Sequence, residues 1–294
     1  MTGLELRFDE PWPEAPFEVI SPSGPRTPVV AHIPHASTLV PAPVRDEIIL
    51  DDAAVEQEVI HLTDWFTDDL FAFIGVGGGT MFVNRLSGLV FDPERFLDDA
   101  DEPAAAYGQG VVYTHGSHGR RLRDDSAALR SARIEALYRP YHAALDGVVA
   151  GLLESFGGCT VIDCHSFPSM PLPSEFDQSP ERPDICIGTD GMHTPRQLAE
   201  AMVSAFTAEG FSVKRDSPFA GTFVPSGYYH RDARVRSVMI EVRRGLYIDE
   251  QTAQRRADYE EVKAAISRAF ANTNLLQLES SGPGSPRVGA GKEA

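Results

Sequence analysis

The chain has 294 residues, 42% of them hydrophobic, with a formal net charge of −17. That is enough apolar material for one large domain, expected over residues 1–278, while the acidic balance argues against nucleic acid or an anionic membrane as a partner. No run approaches the ~20 apolar residues of a membrane span and no secretory leader is legible, so a cytoplasmic location is expected; nothing sets the number of subunits.

Residues 1–26, rich in Pro, Glu and Ser, read as an irregular lead-in that packs through Leu4, Leu6, Phe8 and Trp12. A strand is expected over 29–33, ending at Pro34, which cannot donate to a sheet ladder and leaves His35 facing a crevice. His32 falls on the opposite side of the extended chain and reads as packed or solvated. The spacing over 52–73 predicts a helix, with His61, Asp64 and Asp68 on one polar stripe and Val55, Val59, Leu62, Phe66 and Leu70 on the apolar face. A strand over 80–83 follows, then a long aperiodic stretch over 84–124 that holds Arg85, Asp92, Glu94, Arg95, His115 and His118 and reads as a functional loop roofing a pocket.

A helix over 126–155, bent at Pro140, leads to a strand over 159–164. After a second long loop over 168–183 come a strand over 184–187, a helix over 194–207, strands over 211–214 and 238–242, and a last helix over 250–271. Thr194-Pro195 is a good start and Gly210 a good stop for the middle helix. The tail over 279–294 lacks the apolar residues that offset ordering entropy and reads as disordered. Alternating strands and helices predict a single α/β domain, its central sheet mostly parallel or mixed and covered by helices on both faces.

Two histidines, His35 and His165, fall at strand ends, where open α/β sheets build their sites. Strand alternation puts Asp163 beside His165, as the carboxylate that orients a ligating imidazole, and turns Cys164 into the core. A hydrolytic zinc site commonly takes three protein ligands, so a carboxylate is expected beside the two imidazoles. Asp64, flanked by Trp65 and apolar residues, is the first candidate, with Glu58 and Asp68 behind it. Glu241 interrupts an apolar strand and needs a metal, a basic partner such as Arg243 or Arg244, or a raised pKa; a general base acting on water satisfies that need. Tyr247 is a candidate donor to an oxyanion. Arg85 and Arg95, set in an acidic chain, suit capture of an acidic substrate's carboxylate, with Asn84 and Arg244 as further substrate contacts. Cys159, Cys164 and Cys186 are odd in number and irregularly spaced, and predict reduced core thiols.

Taken in order, Ile33-Pro34-His35-Ala36-Ser37, Thr63-Asp64-Trp65, Phe91-Asp92-Pro93-Glu94-Arg95-Phe96, Tyr138-Arg139-Pro140-Tyr141-His142, Ile162-Asp163-Cys164-His165-Ser166, Pro183-Asp184-Ile185-Cys186-Ile187-Gly188 and Ile240-Glu241-Val242-Arg243-Arg244-Gly245-Leu246-Tyr247 form a pattern. It resembles the N-formylglutamate amidohydrolase family, related in fold to the zinc carboxypeptidases, and spans nearly the whole chain. The resemblance implies that His35, Asp64 and His165 hold one zinc ion, that Glu241 activates water and that Arg95 grips the substrate's α-carboxylate. It implies a hydrolase that releases an N-formyl or other N-acyl group from an amino acid. The family favours Asn before the arginine matched by Arg95, where this chain has Glu94, whose charge repels a dicarboxylate substrate. His/Asp/His ligation also accommodates iron or manganese. Two other readings compete: a non-catalytic metal- or carboxylate-binding protein on the same fold, and a metal-free hydrolase using Cys164 and His165.

Overall fold

Short runs of aliphatic residues, buried on both faces, make the centre of the molecule. In the computed structural model, which describes residues 8–277, seven strands form one sheet. They are β1 (Phe17–Ile20), β2 (Val29–Ile33), β3 (Thr80–Asn84), β4 (Cys159–Phe167), β5 (Ile185–Gly188), β6 (Val213–Arg215) and β7 (Val235–Arg243). Their order is β1-β3-β2-β4-β7-β5-β6. β2 lies parallel to β3 and β4, and β4 parallel to β7, whereas β1 and β5 run antiparallel to β3 and β7. The sheet is therefore mixed, as expected.

Every residue of β2, β3, β4 and β5 is buried, because helices cover both faces. On one face Ala31, Ile33, Ile162 and Ile240 pack with Met202 and Phe206 of helix Arg196–Ala208 and with Ile266 and Phe270 of helix Tyr259–Ala271. On the other, Val30 and Val161 meet Val55 and Val59 of helix Asp52–Leu62 and Tyr141, Leu145 and Val149 of helix Arg139–Phe156. From β2 the chain goes to β3 on one side and only later returns to β4 on the other. That reversal opens a crevice beyond the carboxyl ends of β2 and β4.

Several elements differ from expectation for identifiable reasons. The helix expected over 52–73 stops at Leu62, and Thr63 is already extended. Its continuation is broken into Thr67–Leu70 and Ala72–Val76 by a turn in which Phe66 takes φ 60°. Two bonds outweigh helical periodicity there: Asp64 N–H donates to the His35 carbonyl at 2.9 Å and Trp65 Nε1 to the Ile60 carbonyl at 3.0 Å. Asp64 thus leaves the helix and joins the loop after β2. The bend near Pro140 is a π-helical turn, Ile134–Tyr138, just before the proline whose missing N–H interrupts the ladder. β4 runs on to Phe167, so His165 lies within a strand rather than at its end. β1 sits inside the lead-in expected to be irregular, and the last helix begins only at Tyr259, after a hairpin of Ile248–Asp249 and Gln254–Arg255. Leu4, Leu6 and the expected disordered tail lie outside the described residues. Cys159, Cys164 and Cys186 are buried and free, and among the described residues no helix is long and apolar enough to cross a membrane.

Candidate active site

Strand register brings the chemistry together. Asp163 on β4 stands beside His32 on β2, and His165 beside Glu241 on β7. His35 follows β2 by two residues; its chain is held by Asn84, whose Nδ2 donates to the Pro34 carbonyl at 2.8 Å.

The two imidazoles converge on the same kind of atom. His35 Nδ1 and His165 Nδ1 are 3.4 Å apart, and Asp64 Oδ2 lies 3.0 Å from the second and 3.7 Å from the first. A tetrahedral ion with bonds of ~2.0–2.1 Å separates its donors by about 3.3–3.4 Å, so this triangle fits a divalent cation such as zinc. The remaining donor atoms are fixed from behind. His35 Nε2 meets Asp92 Oδ1 at 3.0 Å, His165 Nε2 meets Asp163 Oδ1 at 2.9 Å, and Arg244 Nη2 donates to Asp64 Oδ1 at 2.8 Å. Glu94 also reaches the histidines, but at His165 it touches Nε2, at 3.2 Å, the nitrogen that faces away from His35. Its second oxygen is 3.9 Å from His35 Nδ1. Two carboxylates are thus candidate third donors: Asp64, which faces the Nδ1 pair, and Glu94, which groups with His35 and His165 closely enough to share an ion.

Charge balance points the same way. Burial opposes a charge on His35, but Asp92, Asp64 and Glu94 outweigh it and push the imidazole up to about 10. Burial likewise opposes ionisation of Asp64, yet bonds from His165 and His35 hold its carboxyl well below the usual range. Buried acids here demand positive charge, which two protonated rings or one dication can supply. Glu241 behaves oppositely: burial pushes it up to about 8, and its Oε2 has no hydrogen-bond partner among the described residues. A buried oxygen without a partner, beside His165, is poised to meet water or substrate.

Arg95 lies at the same site, its Nε 3.1 Å from Asp92 Oδ2 without an aligned hydrogen bond and its Nη2 donating to Tyr113 Oη at 3.3 Å. The other expected substrate contacts lie elsewhere. Arg85 pairs with Glu18 and Asp68 at the sheet's edge. Asn84 is wholly buried and spent on backbone bonds. Tyr247, also wholly buried, donates to the Trp65 carbonyl at 2.9 Å. Arg244 borders the pocket but is spent on Asp64, Ser166 and the His61 carbonyl. Arg85, Asn84 and Tyr247 do not border the cavity, and Arg244 reaches it with its donors already engaged. Glu58 is bound by Ser117 and Arg120 and Asp68 by Arg85, and neither borders the pocket. Cys164 points into the core, and burial raises its thiol well above the ordinary value, as alternation on the strand predicts.

Sequence reasoning passed over two groups. His32, expected to be packed or solvated, is wholly buried and so packed, and its bonds to Asp163 at 3.1 Å and to Tyr141 Oη at 2.7 Å tie it to the site. Asp92, which orients His35 and accepts a bond from Tyr113, carried the same signal as Glu241: a lone acid among apolar neighbours, Val90 and Phe91.

These groups open onto a cavity of about 680 Å³, bordered by His35, Asp64, Glu94, Arg95, His165 and Glu241. The sequence profile of the N-formylglutamate amidohydrolase family matches residues 27–248. The chain belongs to the N-formylglutamate amidohydrolase family. An N-formylglutamate deformylase from Pseudomonas aeruginosa is 28% identical over 265 residues, 88% of this chain and 96% of that protein. Another from Pseudomonas putida is 27% identical over 231 residues, 76% and 83% of the two chains. The crystal structure of an N-formylglutamate amidohydrolase from Ralstonia eutropha superposes with a TM-score of 0.77 at 24% identity, covering 90% of this chain and 98% of that one. A protein from Agrobacterium tumefaciens gives 0.62 at 20% identity, over 87% and 94%. The two crystal structures share this chain's fold.

Proposed function

We propose that this protein is a metal-dependent amidohydrolase that removes a formyl or similarly small acyl group from the nitrogen of an amino acid. The observation that carries the reading is the convergence of His35 Nδ1, His165 Nδ1 and Asp64 Oδ2 beside the unpartnered Glu241 Oε2. Its family relatives, named N-formylglutamate deformylases, support the chemistry.

His35, Asp64 and His165 would hold one zinc ion, which when bound supplies Lewis acidity to the scissile carbonyl and to water. Arg95 grips the substrate's α-carboxylate with the donors that Asp92 and Tyr113 leave open. Glu241 Oε2 takes the proton that attacking water gives up and passes it to the departing amine nitrogen, so the products are a carboxylic acid and the free amino acid. Asp92 and Asp163 keep both Nδ1 atoms turned inward, and Arg244 does the same for Asp64.

Glu241→Gln keeps the donor set and removes the proton carrier. We expect it to retain the metal content of the parent and to lose roughly 10²–10⁴-fold in kcat, measured by formate release from N-formyl amino acids with zinc added. Undiminished turnover removes Glu241 from the mechanism. Tight metal and carboxylate binding without turnover of any N-acyl amino acid, in the unmodified chain, makes the protein a binder instead.

A further inference from the structure

The wall of the cavity carries a statement about which amino acid it takes. Among the described residues that border it, Arg95 and Arg244 are the arginines, and no lysine does. Arg244 is spent on Asp64, Ser166 and the His61 carbonyl. Arg95 keeps donors for one carboxylate only, with Asp92 already against its Nε. A second carboxylate would enter a space bordered by Glu94, Glu102, Glu175 and Asp190 and find no free cation. Those acids in turn offer little to a cationic side chain, Glu94 being set against His32 at 3.3 Å and His165 at 3.2 Å. Glu102 accepts from the Phe96 and Ala104 amides, Glu175 is paired with Arg182, and Asp190 takes amides of Met192 and His193 together with His230.

What remains is apolar. Phe223 stacks on His32 at 4.2 Å and its amide holds Asp163 Oδ2 at 2.8 Å, so the apolar wall begins at the reacting centre. From there Phe219, Tyr229, Phe96, Leu97 and Phe176 carry it outward. Phe96 and Tyr229, their rings 5.8 Å apart, border the same cavity as Arg95, so a substrate anchored there by its α-carboxylate has its side chain within reach of this wall. At the mouth Phe96 is 43% and Phe176 65% exposed, apolar surface of the kind a bound ligand covers.

We infer that the preferred substrate is an N-acyl amino acid with one carboxylate and an apolar side chain, not the dicarboxylate for which the relatives are named. This rests on the amidohydrolase reading and narrows it. The test is kcat/KM of the zinc-loaded chain for N-formylglycine, N-formylleucine, N-formylphenylalanine, N-formylglutamate and N-formyllysine. Leucine or phenylalanine should exceed glutamate, lysine and glycine by tenfold or more, the range expected when a pocket matches or loses apolar contact. Phe176→Ser and Phe96→Ser should each lower the leucine-to-glycine ratio at least fivefold, a readout that general loss of folded enzyme leaves alone. Turnover of the glutamate or lysine compound equal to or above that of leucine overturns the inference while leaving the amidohydrolase reading intact. No turnover across the panel overturns both.

Discussion

Glu241 shows how far one side chain's environment can set its chemistry. Ordinarily a glutamate ionises near 4.5, whereas burial pushes this one up to about 8. Between those two values the folded, metal-free protein holds a proton that the unfolded chain has released, so this group makes stability fall as pH rises through that window and adds no further loss above it. In chelated protein, Glu241→Gln should therefore gain thermal stability over the parent progressively between about 4.5 and 8. Melting curves across that range check it, and an offset independent of pH contradicts it. Asp92 offers a second residue-scale test. It is wholly buried against His35 Nε2, Arg95 and Tyr113, so Asp92→Asn should weaken zinc binding by about 10–100-fold, read by competition with a chromophoric chelator. Unchanged affinity would show that His35 needs no carboxylate behind it. Glu241 was legible because an acid in an apolar strand asks for a reason, while His32 was not, because the partners that bury it lie on other elements.

Among the elements, strands that bury both faces announced themselves: the limits of β2 match the expected ones, and β3 differs by one residue. Periodicity misjudged the segment after Leu62, where the Asp64 amide's bond to the His35 carbonyl and the Trp65 indole's bond to the Ile60 carbonyl outweigh helix propensity. That failure coincides with the site, since the turn is what delivers Asp64 to the histidines. β1 escaped notice because an edge strand of four residues is too short to show alternation. A further element-scale prediction concerns the seam between β5 and the loop bearing Phe219 and Phe223. A Cβ on Gly188 would sit 2.1 Å from the Gly221 carbonyl oxygen and 3.1 Å from Met239 Cβ. Gly188→Ala should thus force that loop outward, costing about 1–3 kcal/mol in denaturant unfolding and lowering kcat/KM through the displaced pocket wall. A variant with the parent's stability and activity would mean the loop yields freely.

For the molecule as a whole, alternation predicted the α/β class but does not contain the strand order. The position of β4 between β2 and β7 follows from long-range packing of two cores, and it is this order that sets His32 beside Asp163 and His165 beside Glu241. The ordered motifs carried the family because they sample each of those strands in turn. Whether this fold gathers a single divalent cation at one vertex of the cavity can be read from anomalous diffraction at the zinc edge, using crystals of zinc-loaded protein. One strong peak is expected within bonding distance of His35 Nδ1, His165 Nδ1 and Asp64 Oδ2. A peak on the other side of His165, among Nε2, Glu94 and Asp163, or an active enzyme with no peak at all, would contradict it.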